Sequence, residues 1–506
     1  MSQKISNALI SVFYKDGLEP IVKKLHELGI NIYTTGGTAD FITKLNIPVL
    51  HVEDLTGYPS ILGGRVKTLH PKVFGGILGR RNLQSDIDEM QQYEIPSLDL
   101  VIVDLYPFEE TLKAGGSEAE IIEKIDIGGV SLIRAAAKNF NDTLIVSSKN
   151  DYEYFYQLLT SQNGETFIEQ RKEFASKAFF ETNKYDGMIH RWFQPNTLET
   201  FTETYKNKNE LRYGENPHQK SAFFGNSNDI YEKLAGKEIS YNNLNDLEGA
   251  LALSNEFKDG VSCVIIKHTN ACGVAVRSSA LEAWSDALSA DPVSAFGGII
   301  AFNSTIDEAT ALEIEKLFFE ILIAPSYSDK ALEILTKKNN RIILKLKSYK
   351  PNQFQYKSML NGVLVQECDL KSSDKEKLQL VTEIKPNDSG IDDMLFAEKI
   401  VKHTKSNTIV LAKNKKLLGL GCGMTSRIDA LKHAINKSKE AGLSLQDAAM
   451  ASDAFFPFPD CVEVAHQEGI KNILQPGGSV KDQLSIDYCN QNQLSMVFTG
   501  IRHFKH

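Results

Sequence analysis

One feature restricts the fold of this chain more than any other. Over residues 1–149 strand-like and helix-like segments alternate, and the strand-like ones are apolar nearly throughout. Leu98–Leu105 (LDLVIVDL) is the clearest case. A strand that is apolar on both faces has to be covered on both sides, as in a parallel sheet. Ala8–Phe13, Asn31–Thr35 and Leu144–Ser147 read as further strands. Leu18–Leu28, Ala39–Leu45 and the alanine-rich Leu132–Asn139 read as helices. This alternation predicts βαβ units and an α/β fold. Ligands of such sheets bind at the carboxyl ends of the strands.

Beyond residue 149 the pattern changes. Residues 150–199 read as a helical connector, closed by Gln194-Pro195-Asn196, with a polar stretch following at Thr200–Glu210. From residue 200 to 506, strands such as Cys263–Ile266 and Gly298–Phe302 carry loops rich in Asn, Gly and Pro. A charged stretch, Asp369–Asp393, precedes a last unit with strands at Thr408–Ala412, Leu418–Gly421 and Met496–Gly500. No repeat is visible in the residues themselves.

Composition narrows the function classes. The chain has 506 residues, 56 Lys+Arg and 65 Asp+Glu, for a net charge of −9. That balance argues against nucleic acid or an anionic membrane as the main partner, and leaves room for local basic pockets. No apolar run approaches the ~18 residues of a membrane span. The apolar run before Lys15 is too short for a signal peptide, so a cytoplasmic protein is expected. The six cysteines form no CxxC pair, which argues for reduced thiols and against a zinc knuckle.

Four strings in the first part could carry chemistry. Thr34-Thr35-Gly36-Gly37-Thr38 ends a strand in two glycines and starts a helix, as a phosphate-binding turn does; a plain tight turn is the alternative. Gly63-Gly64-Arg65-Val66-Lys67-Thr68 sets two cations and a hydroxyl beside a Gly-Gly break, and is either an anion grip or a solvated basic loop. In Lys124–Ser131, Asp126 precedes Gly128-Gly129 and a helix leading to Arg134 and Lys138. Helix capping by Asp126 is the plainer reading. Tyr106, in Asp104-Leu105-Tyr106-Pro107-Phe108, could donate to a substrate or close the core rim. All four lie at expected strand ends or helix starts. Together they suit electrostatic catalysis on a phosphorylated substrate.

The second part has its own strings. Arg212-Tyr213-Gly214-Glu215-Asn216-Pro217-His218-Gln219 is dense in hydrogen-bonding groups. Lys267-His268-Thr269-Asn270 directly follows the apolar strand VSCVII. A lysine beside a histidine disfavours the imidazolium and so favours a neutral, basic ring. Asn270 could orient a carbonyl; a surface turn is the alternative for the whole string. Ser294-Ala295-Phe296-Gly297-Gly298 runs into a strand, and Gly421–Arg427 is a glycine loop opening a helix. The basic end Arg502–His506 follows an expected strand and so could be docked rather than frayed.

Taken in order, GGRVKTLHP, IDIGG…RAAAKN, RYGENPHQ, KHTN, SAFGG, ASDAFFPFPD and RHFKH resemble the bifunctional purine-biosynthesis family that combines AICAR (phosphoribosyl-aminoimidazole-carboxamide) formyltransferase with IMP cyclohydrolase. The likeness runs from Ala8 to His506. It implies a methylglyoxal-synthase-like parallel-sheet domain at the N-terminus. It also implies a transformylase region of two cytidine-deaminase-like lobes, and a homodimer that builds the transferase site from both chains. 10-Formyltetrahydrofolate is implied as co-substrate, with no catalytic metal. His51-Val52-Glu53 and His466-Gln467-Glu468 match HxE, but no PCxxC follows either.

For formyl transfer the resemblance implies His268 as general base and Lys267 as oxyanion stabiliser. It implies Arg212, Tyr213, His218, Asn243, Asn270, Phe296, Glu320, Asn407, Arg427 and His506 as substrate or folate contacts, with Arg212 on phosphate and Asn407 on the carboxamide. For ring closure of formyl-AICAR to IMP it implies Lys67, Tyr106, Asp126 and Lys138 at the closing ring. Ser11, Lys15, Thr35, Gly36, Gly37, Thr38, Arg65 and Thr68 would hold ribose phosphate and base. Three departures stand out: Phe13-Tyr14 where the family reads Ser-Asp, Ala271 in place of Pro, and Met424-Thr425 in place of a Gln-containing pair. Three competing readings are an allosteric metabolite sensor, a methylglyoxal synthase and a zinc deaminase. The lysine–aspartate set, the attached KHTN half and the missing cysteines weigh against them in turn.

Overall fold

The computed structural model describes residues 2–194 and 200–506. The chain divides into two compact units, Met1–Thr204 and Tyr205–His506. In the first, five parallel strands lie in the order Leu50–His51, Asn31–Thr34, Asn7–Ser11, Leu100–Val103, Leu144–Val146. All four residues of Leu100–Val103 are buried, as a doubly covered strand requires. The helix expected from Ala39 starts earlier, at Gly36, so both glycines belong to its first turn. The helix expected from Leu132 likewise starts at Gly128.

The segment read as a connector joins the first core. Phe155 and Leu159 of the helix Tyr152–Ser161, and Phe174, Ala175 and Ala178 of the helix Ile168–Phe193, are buried with the sheet residues. Between the helices, Glu165–Phe167 pairs antiparallel with Ser2–Lys4. Buried Arg171 donates to the carbonyls of Phe140, Asn141 and Thr166 at 2.8–2.9 Å. The helical periodicity is local and legible, whereas these partners lie up to 165 residues away in sequence, from Ser2 to Phe167. Pro195 and Asn196 lie outside the described residues. Within the polar stretch after them, Lys208–Leu211 pairs with Ser221–Phe224.

The second unit contains a repeat that residue identity hides. One twelve-stranded sheet runs through it. Its first half reads strand Tyr231–Ala235, helix Tyr241–Ser254, hairpin Val261–Lys267/Asn270–Arg277, helix Ala280–Leu288, and strands Ile299–Phe302, Ile321–Ala324 and Ile342–Leu346 with helices between them. Its second half repeats that order: strand Gln379–Leu380, helix Asp388–Lys402, hairpin Ile409–Lys413/Lys416–Gly421, helix Arg427–Glu440, and strands Ala449–Ser452, Asn472–Gln475 and Ser495–Phe498. The halves join where Ala275 pairs with Lys416. In each hairpin, side chains alternate between two cores. Val264 and Ile266 enter a core shared with Val410 and Ala412, beneath the helices Tyr241–Ser254 and Asp388–Lys402. Cys263 and Ile265 face a core of the first half alone, and Ile409 and Leu411 one of the second. A Cβ at Gly273 would lie 2.2 Å from Ala287 O, and one at Gly419 2.1 Å from Ala434 O. The same close approach of helix to strand therefore recurs in both halves.

Candidate functional site

In the first unit, four of the sequence strings converge at one end of the parallel sheet. Lys67 is the meeting point: a Cβ at Gly36 would lie 3.3 Å from its Nζ, and one at Gly64 2.7 Å from its Cε. The ammonium therefore sits over the first turn of the Gly36 helix. A Cβ at Gly128 would lie 3.4 Å from the buried Thr68 Oγ1, which puts Thr68 at the start of the second helix. Two helix N-termini, with their free N–H groups and partial positive charge, thus meet around one lysine, an arrangement suited to an anion. Ser11 Oγ lies 3.1 Å from Thr35 Oγ1. Thr38 Oγ1 accepts from Val12 N at 3.1 Å and donates to Val12 O at 3.0 Å, tying the Gly36 helix to the strand end. Lys15 Nζ donates to the carbonyls of Val12 and Phe13, and burial pulls its ammonium down. Arg65 is exposed and paired with Glu123.

Asp126 caps the Gly128 helix, the plainer of the two readings: its Oδ1 accepts from Gly129 N at 2.7 Å. The carboxylate folds back so closely that a Cβ at Gly129 would lie 2.5 Å from Oδ2. Burial pushes the carboxyl above the ordinary range, against hydrogen bonds from the backbone of Gly129 and Tyr106 that pull it down. Tyr106 is 42% exposed, so it does not close the core rim. Burial, then the negative charges of Asp126 and Asp104, raise its phenol. Two supports escaped the sequence reading. Tyr185 OH accepts from Asp126 N at 2.8 Å, and the Asp104 carboxylate accepts from the amides of Phe13 and Tyr14. The Phe13 ring meets the Tyr106 ring edge-on at 5.9 Å, so the departure at position 13 makes one wall of this site.

Lys138 is not part of this group. It ends the helix that Gly128 begins, about 15 Å along the axis at 1.5 Å per residue. There it lines a cleft of about 660 Å3 with Phe74, Leu78, Arg134 and Phe179.

In the second unit, Lys267–Asn270 is the turn of the first hairpin, with Lys267 paired to Asn270. His268 and Thr269 occupy the two turn positions at φ 52° and 61°. That left-handed geometry suits Asn-Gly, and is costly for a β-branched residue by about 1–3 kcal/mol. Asp246, which the sequence reading missed, holds the turn. Its Oδ1 accepts from Thr269 N at 2.7 Å and its Oδ2 from His268 N at 3.2 Å. Burial pushes its carboxyl up, while those two amides pull it down. Lys267 Nζ donates to Phe296 O at 2.6 Å, so KHTN and SAFGG meet. Lys267, His268 and Asn270 line a cleft of about 240 Å3 with Asp291, Cys422, His433 and Lys437. Asn270 Oδ1 is buried there without a hydrogen-bond partner.

The helix Tyr241–Ser254 connects further strings to this turn. Asn242 Nδ2 donates to Glu215 O at 3.1 Å, fastening the loop of Arg212, Tyr213 and the exposed His218. Arg212 lies over the Tyr213 ring at 4.7 Å and donates to its hydroxyl at 2.8 Å. Asn243 caps the same helix reciprocally with Ser240. Phe296 is exposed and meets Phe318 at 5.3 Å, while Glu320 pairs with Lys237 at 2.7 Å.

Asn407 and Arg427 form a second cluster. Asn407 Nδ2 donates to Met424 O at 3.0 Å, and its Oδ1 accepts from Arg427 Nη2 at 2.9 Å. Arg427 also pairs with fully buried Asp453 at 2.7 Å. Both side chains are thus engaged in holding the Gly421–Arg427 loop. The basic end is docked. His503 N donates to Asp453 O at 3.0 Å, Ser406 N to Lys505 O at 2.9 Å, and Lys505 Nζ to His403 O at 3.1 Å. His506 is exposed beside the Phe504 ring.

A family profile described as AICARFT/IMPCHase bienzyme matches residues 136–437, and one described as an MGS-like domain matches residues 17–131. A protein of Bacteroides thetaiotaomicron described as bifunctional purine biosynthesis protein PurH is 54% identical over 100% of this chain and 99% of its own length. Proteins of the same description from Aquifex aeolicus and Clostridioides difficile are 46% and 45% identical, each over 99% of this chain. On full-length likeness, and on a parallel-sheet unit followed by the KHTN-bearing unit, the chain belongs to the AICARFT/IMPCHase bienzyme family, with an MGS-like domain at its N-terminus.

Proposed function

We propose that this chain carries out the last two steps of IMP synthesis, formyl transfer in the second unit and ring closure in the first. The observation that carries the reading is the pair of independent sites, each with its own cation, proton-handling group and loop of fixed geometry. In the first step the AICAR amine attacks the formyl carbon of 10-formyltetrahydrofolate. A C–N bond forms, the bond from the formyl carbon to the folate nitrogen breaks, and that nitrogen leaves with a proton as tetrahydrofolate. The amine is a weak nucleophile, because its lone pair is shared with an aromatic amide system. His268 takes its proton, and Lys267 stabilises the oxyanion. Arg212 holds the phosphate, with Tyr213, His218, Asn243, Asn270, Phe296, Glu320, Asn407, Arg427 and His506 completing the substrate and folate contacts.

In the second step the carboxamide nitrogen attacks the formyl carbon of the same molecule, and water leaves. Much of this task is to hold the two atoms together. Lys67 stabilises the developing oxyanion, and Asp126 and Tyr106 move the proton. A carboxyl that burial raises above its ordinary range suits that exchange. Ser11, Lys15, Thr35–Thr38, Arg65 and Thr68 hold the ribose phosphate and base. Lys138 lies too far along its helix to reach the Lys67 group in its own chain. Its part in ring closure therefore requires a second copy, in keeping with a cytoplasmic homodimer. Purified protein given AICAR and 10-formyltetrahydrofolate is expected to release tetrahydrofolate and IMP. Accumulation of formyl-AICAR without IMP would refute the assignment of ring closure, and absence of both products would refute the whole.

A further inference from the structure

The repeat in the second unit exposes a device that occurs twice. The sixth residue of the helix Tyr241–Ser254 is Asp246, and the sixth of the helix Asp388–Lys402 is Asp393. Each accepts both backbone amides of the two-residue turn in the hairpin that follows. Asp246 takes His268 N and Thr269 N at 3.2 and 2.7 Å, and Asp393 takes Asn414 N and Lys415 N at 2.8 and 2.7 Å. All four turn residues are left-handed, at φ 52°, 61°, 53° and 51°. A carboxylate is the one side chain whose two oxygens both act only as acceptors, so it can hold two parallel N–H groups at once.

The two turns differ in what they ask of the clamp. Asn414 tolerates the left-handed region by itself, through its short polar side chain. Thr269 does not, since a β-branched residue with positive φ persists only where its surroundings impose it. We propose that Asp246 is the positioning residue of the formyl-transfer site, holding His268 in the one turn geometry that presents its imidazole to the cleft, while Asp393 is the same clamp without a chemical role. This rests on the assignment of His268 above.

The test compares clamps in the full-length enzyme. Asp246→Ala is expected to lower kcat for formyl transfer roughly a hundredfold, the size of a misplaced catalytic group. KM for both substrates and the rate of ring closure should stay close to wild type. Asp393→Ala should lower thermal stability and leave formyl-transfer kcat within about threefold of wild type. Adding Thr269→Gly to Asp246→Ala removes the strain that the clamp opposes, and should recover part of the lost kcat. A merely structural role would not produce that recovery. The proposal is overturned if folded Asp246→Ala, with ring closure intact, keeps wild-type kcat. It is equally overturned if Asp393→Ala loses as much, or if Thr269→Gly recovers nothing. Should His268→Ala transfer formyl at full rate, the functional reading falls and takes this proposal with it. With His268→Ala inactive, an unaffected Asp246→Ala sinks the proposal alone.

Discussion

The two units hold their reactive groups in opposite ways. In the first, the backbone does the work: helices begin at Gly36 and Gly128, and Lys67 lies over glycines that leave room for it. Such a site is a cradle, strong in N–H donors and local positive charge. In the second, a reverse turn puts the β-branched Thr269 beside His268 in a backbone conformation it would not choose, and a carboxylate holds both residues there. The cradle suits binding and stabilising an anion. The clamped turn suits aiming one side chain. Ring closure within one molecule chiefly needs the former, and proton removal from a weak nucleophile needs the latter.

The largest effects should separate the two. Lys67→Ala is expected to lower ring closure by about 10²–10³-fold, with formyl transfer intact. His268→Ala should lower formyl transfer by about 10²–10⁴-fold, with closure of added formyl-AICAR intact. Joint loss in either variant, measured with each substrate separately, would break the comparison.

Glycine substitutions should follow. At Gly129 a methyl group would meet Asp126 Oδ2 at 2.5 Å, so Gly129→Ala should slow ring closure and cost about 1–3 kcal/mol in denaturant unfolding. At Gly421 a methyl group would lie 1.9 Å from Ala430 O, a backbone atom of a packed helix. Gly421→Ala should therefore destabilise by at least as much, and its damage should fall on formyl transfer. The reverse pattern of activities would count against the assignment of one reaction to each unit.

A pH effect should distinguish the docked C-terminus of the second unit. Burial alone pulls His503 down, but Asp369 Oδ2 at 2.6 Å and Glu398 Oε1 at 3.4 Å outweigh it and raise the imidazole to about 9. A group raised from about 6.5 to about 9 stabilises fully below the lower value, and that stabilisation is lost as pH rises through the upper one. Amide exchange of residues 499–506 is expected to accelerate as pH passes from 6.5 toward 9, beyond the intrinsic base-catalysed increase. His503→Gln should remove that excess. The smallest effect belongs to Arg65, whose exposed pair with Glu123 is worth at most about 1 kcal/mol. Arg65→Gln should leave unfolding nearly unchanged and raise KM for formyl-AICAR. An unchanged KM would remove Arg65 from the cradle.

Much of the first site was legible, because its residues lie at strand ends and helix starts, where local pattern marks them. Gly36-Gly37, Lys67, Thr68 and Asp126 were read from such positions, and they meet. The second site was legible at Lys267, His268 and Asn270, directly after an apolar strand, and in the SAFGG string that meets them. Asp246 was not, since a lone aspartate 22 residues upstream on a helix carries no signal until the hairpin folds against it. Arg427, which the family likeness implies as a ligand contact, also carries a structural load that its glycine loop does not announce. Its buried partner Asp453 lies 26 residues on, inside ASDAFFPFPD.

By itself the sequence determined the α/β class, the covered parallel strands and the family, and it named the candidate groups for each proposed site. Those follow from apolar runs, turn residues and short motifs, which act over a few residues. Tertiary structure alone decided that residues 152–193 complete the first core and that Lys138 stands apart from Lys67, and it laid out how the two lobes that the family likeness implied repeat one fold. The reason is physical. Topology and burial depend on which faces meet across the chain, and such contacts tolerate many residue identities, so the two halves share their architecture while their sequences show no visible repeat.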